Sequence, residues 1–172
     1  MDYNYQLKIT FQENEQFNVS EVNNLYNMHP NENILVEVAN TKGITSSMLR
    51  QLNSRAVIRI AGAYDKERVE KNKNVVFKSG ETGKYFQTAV IYTRNEAIKM
   101  VEEMEKIESG LDKNWVPIQK MLYIYNYLKE NIIYDSKFEE KTSREIRSLR
   151  GLISKYTVCA GYAVIFKELM DR

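Results

Sequence analysis

Along the first part of the chain, apolar residues recur at two spacings that alternate. Tyr5, Leu7, Ile9 and Phe11 occupy every second position, the period of a half-buried strand. Ser20 then stands before Val22, Leu25 and Tyr26, which share one side of a short helix that Ser20 is placed to cap. Ile34-Leu35-Val36-Glu37-Val38 is a compact run suited to a central strand. Thr45 or Ser46 caps a second short helix carrying Met48, Leu49 and Leu52, and Ala56-Val57-Ile58-Arg59-Ile60 follows as a third strand. Strand–helix–strand–helix–strand order predicts an α/β unit with a mostly parallel sheet.

The stretch from Asp65 to Asn74 is dense in Lys, Glu, Arg and Asn and reads as a solvated loop or exposed turn. Gly80-Glu81-Thr82-Gly83 reads as a turn. It lacks the glycine spacing and the Gly-Lys-Ser/Thr ending of a phosphate cradle. Tyr85 to Tyr92 reads as a further strand, placed to form a hairpin with Val75-Val76-Phe77.

Near Thr93 the pattern turns helical. Thr93-x-x-Glu96 is a capping box, followed by Ala97, Met100, Val101, Met104 and Ile107 on one face and a stop at Ser109-Gly110. Pro117 opens a second helix with Ile118, Met121, Leu122, Tyr125 and Leu128 as its apolar face. Thr142-x-x-Glu145 is another box, opening a helix that presents Ile146, Leu149, Leu152 and Ile153. Lys155-Tyr156-Thr157 is a short connection into a last apolar helix. The expected architecture is therefore mixed α+β and α/β: an accessory α/β domain over 1–93, then a helical domain over 94–172.

Composition narrows the functional classes. Of 172 residues, 43% are hydrophobic and 28% charged, as in ordinary globular domains, and the net charge of +2 directs the chain to neither nucleic acid nor a membrane surface. Lys137, Lys141, Arg144, Arg147, Arg150 and Lys155 are interrupted by Glu139, Glu140 and Glu145, which argues against nucleic-acid binding. No apolar run approaches the ~20 residues of a membrane span. Met1-Asp2-Tyr3-Asn4-Tyr5 lacks the features of a secretory signal, which leaves a cytoplasmic protein and a trimmed secreted one both open. One cysteine and one histidine give no zinc cluster, and neither a metal nor an organic cofactor is expected.

That cysteine carries the candidate chemistry. Cys159 lies in Thr157-Val158-Cys159-Ala160-Gly161-Tyr162-Ala163, at the start of the last helix. A thiol placed there faces unpaired N–H groups and the positive end of the helix dipole, which favour the attacking thiolate. Ala160 and Gly161 leave room for a flat amide. The plain alternative is a packed cysteine acting as a small hydrophobe.

The segment resembles the transglutaminase-like superfamily of cysteine enzymes, whose nucleophile motif reads roughly Gly-x-Cys-x-Gly-aromatic-small. Phe166 and Leu169 continue the apolar face as in that family. Tyr125-Asn126-Tyr127-Leu128, Asn131-Ile132 and Tyr134-Asp135 resemble its helix and turn upstream of the nucleophile. The likeness runs from about Trp115 to Arg172. Two departures stand out: Thr157 occupies a position where the family often has glycine, and the family's downstream histidine and aspartate have no counterpart here. The only histidine, His29 in Met28-His29-Pro30, is upstream and reads as a solvated loop residue.

The resemblance implies the first half of a transglutaminase-like, papain-like core, with Cys159 as the only functional residue carried over. It implies acyl transfer, deamidation or proteolysis on protein or peptide amides through a Cys159 thioester. No cofactor is required, although some members bind calcium. The helix still runs at Arg172, so the chain reads as a fragment of a longer enzyme, inactive or severely impaired as given. The competing expectation is a non-catalytic protein-interaction module on the same scaffold. Helix faces left uncovered by missing strands would also favour self-association.

Overall fold

The computed structural model describes residues 5–60, 90–136 and 147–172. The polar run after Asp65, the Gly80–Gly83 turn, the hairpin partner Val75–Phe77 and the Thr142–Glu145 box lie outside the described residues. In chain order the elements are β1 (Leu7–Phe11), α1 (Val19–Met28), β2 (Ile34–Val38), α2 (Ser46–Arg50), β3 (Val57–Ile60), β4 (Ile91–Thr93), α3 (Arg94–Glu108), α4 (Pro117–Asn131), β5 (Ile133–Tyr134), α5 (Gly151–Ser154), β6 (Tyr156–Thr157) and α6 (Cys159–Asp171). The protein is a mixed α+β chain in two compact units, Met1–Ile98 and Lys99–Arg172, divided within α3.

The first unit is a four-stranded sheet in the order β1-β2-β3-β4. β1–β2 and β2–β3 are parallel, as strands joined through helices must be, and β4 closes the edge antiparallel to β3 with Ile58 opposite Tyr92. β2 is central and fully buried, as its apolar run predicts. β1 departs from the half-buried strand expected of it, because all five of its residues are buried. Lys8 and Thr10, on its polar face, are covered because they meet Glu37 of β2. Lys8 Nζ lies 3.2 Å from Glu37 Oε1, and the Thr10 hydroxyl donates to the same oxygen at 3.4 Å. Arg59 of β3 donates to Glu37 Oε2 at 2.7 Å. The register sets Thr10, Glu37 and Arg59 side by side on three strands.

The caps show where the chain turns into its helices. Asn18, not Ser20, begins α1: its side chain accepts from the Glu21 N–H at 3.1 Å. Phe17 is buried and meets Phe11 edge-on at 5.0 Å, which fixes the chain one residue before Asn18. Phe17 and Val22, both buried, hold the two positions of a hydrophobic staple, and this leaves Ser20 inside the first turn. Thr45 caps α2 through the Met48 N–H at 3.1 Å. The Thr93 box forms as read, with Thr93 N–H donating to Glu96 Oε2 at 2.8 Å and Glu96 N–H to Thr93 Oγ1 at 3.2 Å.

Tyr26 ties α1 to the sheet. Its buried hydroxyl donates to the Ile34 carbonyl at 2.9 Å. Burial pushes the phenol up to about 12, offset only in part by the Val57 backbone and Arg55. The unfolded chain ionises this group near pH 10.0 while the fold keeps it neutral. The associated stability is therefore complete below pH 10 and is lost as pH rises to about 12, a loss of roughly 2–3 kcal/mol. In Tyr26→Phe, denaturant unfolding at several alkaline pH values should show a shallower decline. Equal slopes in the two proteins would refute this.

In the second unit α4 packs against α6, and α5 packs against α6 and β6. Ile124 and Leu128 of α4, Leu152 of α5, and Ile165 and Leu169 of α6 are buried at its centre. Polar contacts join α3 to the rest: Glu103 accepts from Lys155 Nζ at 2.6 Å, and Arg172 grips Glu108 with two donors at 2.7 and 3.1 Å. Pro117 takes the first turn of α4, and the Val116 N–H donates to Gln119 Oε1 at 3.0 Å.

Two readings of this half need correction. Of the face expected to be core on α4, only Leu128 is buried, whereas Ile118, Met121, Leu122 and Tyr125 are exposed. The core-facing side is set by Ile124 and Leu128, about 75° round the helix from the centre of the expected stripe. Before α5, a turn at Ser148–Arg150 replaces the continuous helix expected through Leu149. There the Ser148 hydroxyl accepts from the Arg150 N–H at 3.3 Å, a local bond that competes with helix. Lys155, in the left-handed region at φ 62°, then closes α5 and sends the chain into β6.

Candidate functional site

The connection into α6 is itself a strand. β6 lies parallel to β5, with the Ile133 N–H donating to the Lys155 carbonyl at 2.8 Å and the Asp135 N–H to Thr157 at 2.9 Å. Thr157 is fully buried, so the chain is held up to the residue before the helix cap. Val158 is the N-cap, extended at φ −112° and ψ 178°, and contributes no side-chain cap.

Cys159 follows as the first residue of α6 and is exposed. The Tyr162 N–H makes the first bond of the helix, to the Val158 carbonyl at 3.0 Å. The N–H groups of Cys159, Ala160 and Gly161 precede it, at positions with no partner inside a helix. The helix-start placement inferred from sequence is observed, with Ala160 and Gly161 next along the helix, and the thiol is exposed.

Tyr162, one turn on, fixes the orientation of this helix start. Its hydroxyl donates to the Ile132 carbonyl at 2.5 Å, and its ring stacks on Tyr134 at 6.4 Å with 6° between planes. Burial holds its phenol above the usual range, so it stays a neutral donor at ordinary pH. Ala163 and Phe166 continue from Cys159 at helical spacings of four and seven. Together with Tyr162 they line one wall of a cleft of about 720 Å3, whose other walls come from the end of α4 and from β5. Tyr125, Leu128, Ile132, Ile133 and Tyr134 make those walls apolar, and Lys129 and Glu130 add charge.

Sequence reading placed Cys159 at a helix start, as the structure has it, but revealed neither the cleft nor the tyrosine stack. The aromatic position three residues after the cysteine was visible, whereas its partner Tyr134 lies on a strand too short to show a period. His29 belongs to the first unit. It stands in the loop just after α1, partly exposed as read, where its N–H donates to the Leu25 carbonyl at 3.0 Å and its Nδ1 lies 2.7 Å from Glu32. Among the described residues no group of three or more His, Cys, Asp or Glu side chains is placed to hold a metal ion, and no helix is long and apolar enough to cross a membrane. The chain matches no protein-family model, no curated protein and no solved structure.

Proposed function

We propose that Cys159 is the nucleophile of a transglutaminase-like acyl-transfer site acting on protein or peptide amides. The observation that carries this reading is the exposed Cys159 thiol at the first position of α6, behind an N-cap with no side-chain oxygen to compete for the helix donors. In the reaction, the thiolate adds to a glutamine carboxamide or peptide carbonyl. In this reading the Cys159 backbone N–H serves as one donor to the resulting oxyanion. Collapse breaks the C–N bond, and the departing nitrogen leaves as ammonia or an amine after taking up a proton. Water or a second amine then resolves the thioester.

Protonating the leaving nitrogen requires a general acid, and an imidazole is the usual donor. The sequence has one histidine, His29, which is engaged with Glu32 in the first unit. By the resemblance, histidine and aspartate belong downstream of the cysteine. Turnover by residues 1–172 alone is therefore expected to be absent or very slow, while the first step, attack by the thiol, remains testable.

Iodoacetamide at pH 7 tests it. The native thiol is expected to alkylate at least tenfold faster than the same thiol in denaturant, with the adduct located at Cys159 by mass spectrometry. A native rate at or below the denatured rate would overturn the proposal. A second reading, a non-catalytic interaction module, is favoured by a separate observation: the apolar face of α4 that the fold leaves exposed.

A further inference from the structure

We propose that the cleft between α4, β5 and α6 is a side-chain subsite of the Cys159 site and takes an aromatic side chain of a peptide substrate. The inference rests on Cys159 being the nucleophile, and it adds what lies beside the reactive amide.

The α6 wall of the cleft lies on the same side of that helix as the thiol. At about 100° per residue, Tyr162, Ala163 and Phe166 all fall within about 60° of Cys159. At about 1.5 Å per residue, they stand about 4.5 to 10.5 Å along the axis from it. An extended peptide covers about 3.3–3.6 Å per residue, so the cleft begins one residue, and ends three, from an amide held at the sulfur. Its volume of about 720 Å3 is that of a site enclosing a small ligand, about 300–1,000 Å3, and holds one or two large side chains.

The walls select the chemistry. Tyr162 offers its ring alone, because its hydroxyl is committed to the Ile132 carbonyl at 2.5 Å, and the Tyr134 ring stacks on it. Phe166 and Tyr125 bring two more rings, and the buried Leu128 and Ile132 complete the apolar lining. Lys129 and Glu130 are exposed and opposite in sign, so the lining has no net charge to attract an acidic or basic side chain. Four rings in one cleft favour a fifth over an aliphatic chain of equal size, since aromatic pairs gain from edge and offset contacts beyond the area they bury. Ala163 is the small residue of the α6 wall and is exposed.

Two alkylating probes of Cys159 test this: iodoacetamide, and N-(2-phenylethyl)iodoacetamide, which carries a ring beyond the amide. Each is measured on native and denatured protein at pH 7. The native-to-denatured rate ratio should be at least tenfold larger for the phenylethyl probe, and its native rate should saturate with concentration. Ala163→Trp fills the cleft from an exposed position and should cut that preference at least fivefold. Tyr125→Glu sets a charge in the α4 wall and should do the same, so the test stands if one variant folds poorly. Equal ratios for the two probes, or a preference that survives either substitution in a protein with the native circular dichroism spectrum, would overturn the subsite. The iodoacetamide ratio alone reads the nucleophile proposal, so failure of the subsite and failure of the nucleophile give different results.

Discussion

Glu37→Ala is expected to destabilise the first unit by about 3–5 kcal/mol, the range for removing one partner of a buried ion pair. Glu37 is 2% exposed and sits in the central strand with Lys8 on one side and Arg59 on the other. Both cations are buried as well, and the alanine variant withdraws the negative charge between them while opening a void. Removing an exposed carboxylate such as Glu13 should cost within about 0.5 kcal/mol. Glu37→Gln separates charge from volume: it keeps the size and an acceptor oxygen, and it should retain most of the loss if charge dominates. Replacing Lys8, Glu37 and Arg59 together by Met, Leu and Met should recover much of the stability, since apolar substitutes avoid the desolvation of all three charges. Urea unfolding checks the series. At about 1–3 kcal/mol per molar of urea, the alanine variant should lower the midpoint by more than 1 M. A loss below 1 kcal/mol would mean that the cluster is dispensable.

The same cluster shows what the sequence conceals. Alternation in β1 reveals which face is apolar, but it does not say whether the polar face is covered. Lys8, Thr10, Glu37 and Arg59 become neighbours only once three strands are in register, and no local pattern carries that register. The parallel β–α–β–α–β order was legible because each run is long enough to show its period and each helix has a capping residue nearby. Boundaries were less so: Asn18 displaced Ser20 because Phe17 is anchored against Phe11, a contact between residues that belong to different elements.

In the second unit, α4 was legible as a helix, but its orientation was not. Its apolar residues span more than one arc, and packing against α6 buries the narrow arc of Ile124 and Leu128 while the richer stripe faces out. The parallel pair β5–β6 has two residues per strand, too few for a period of two to register. Cys159 could be placed at a helix start from its immediate neighbours, because the cue is local. The cleft could not, since its walls come from α4, β5 and α6, which lie more than thirty residues apart at the extremes.

Because the helix start is the proposed source of Cys159's reactivity, the most informative change is at the residue before it. Val158 holds the N-cap position and has no side-chain oxygen to offer, so the first-turn N–H groups remain available to the thiolate. Val158→Thr keeps nearly the same shape and adds a hydroxyl able to accept from the second or third helical N–H. Such a cap is worth about 1 kcal/mol, a factor of five to ten in rate if the same donors otherwise stabilise the attacking sulfur. Native alkylation of Cys159 at pH 7 should therefore slow about five- to tenfold, while the denatured rate is unchanged. Val158 is buried, so its hydroxyl replacement will have some effect on stability. Val158→Ala controls for that, because it loosens the packing without supplying a cap and should leave the native rate near wild type. Cys159→Ala, at an exposed position, should abolish labelling yet alter stability by no more than about 0.5 kcal/mol. If Val158→Thr and Val158→Ala alkylate at the same rate, the helix donors do not activate the thiol, and Cys159 would be merely accessible.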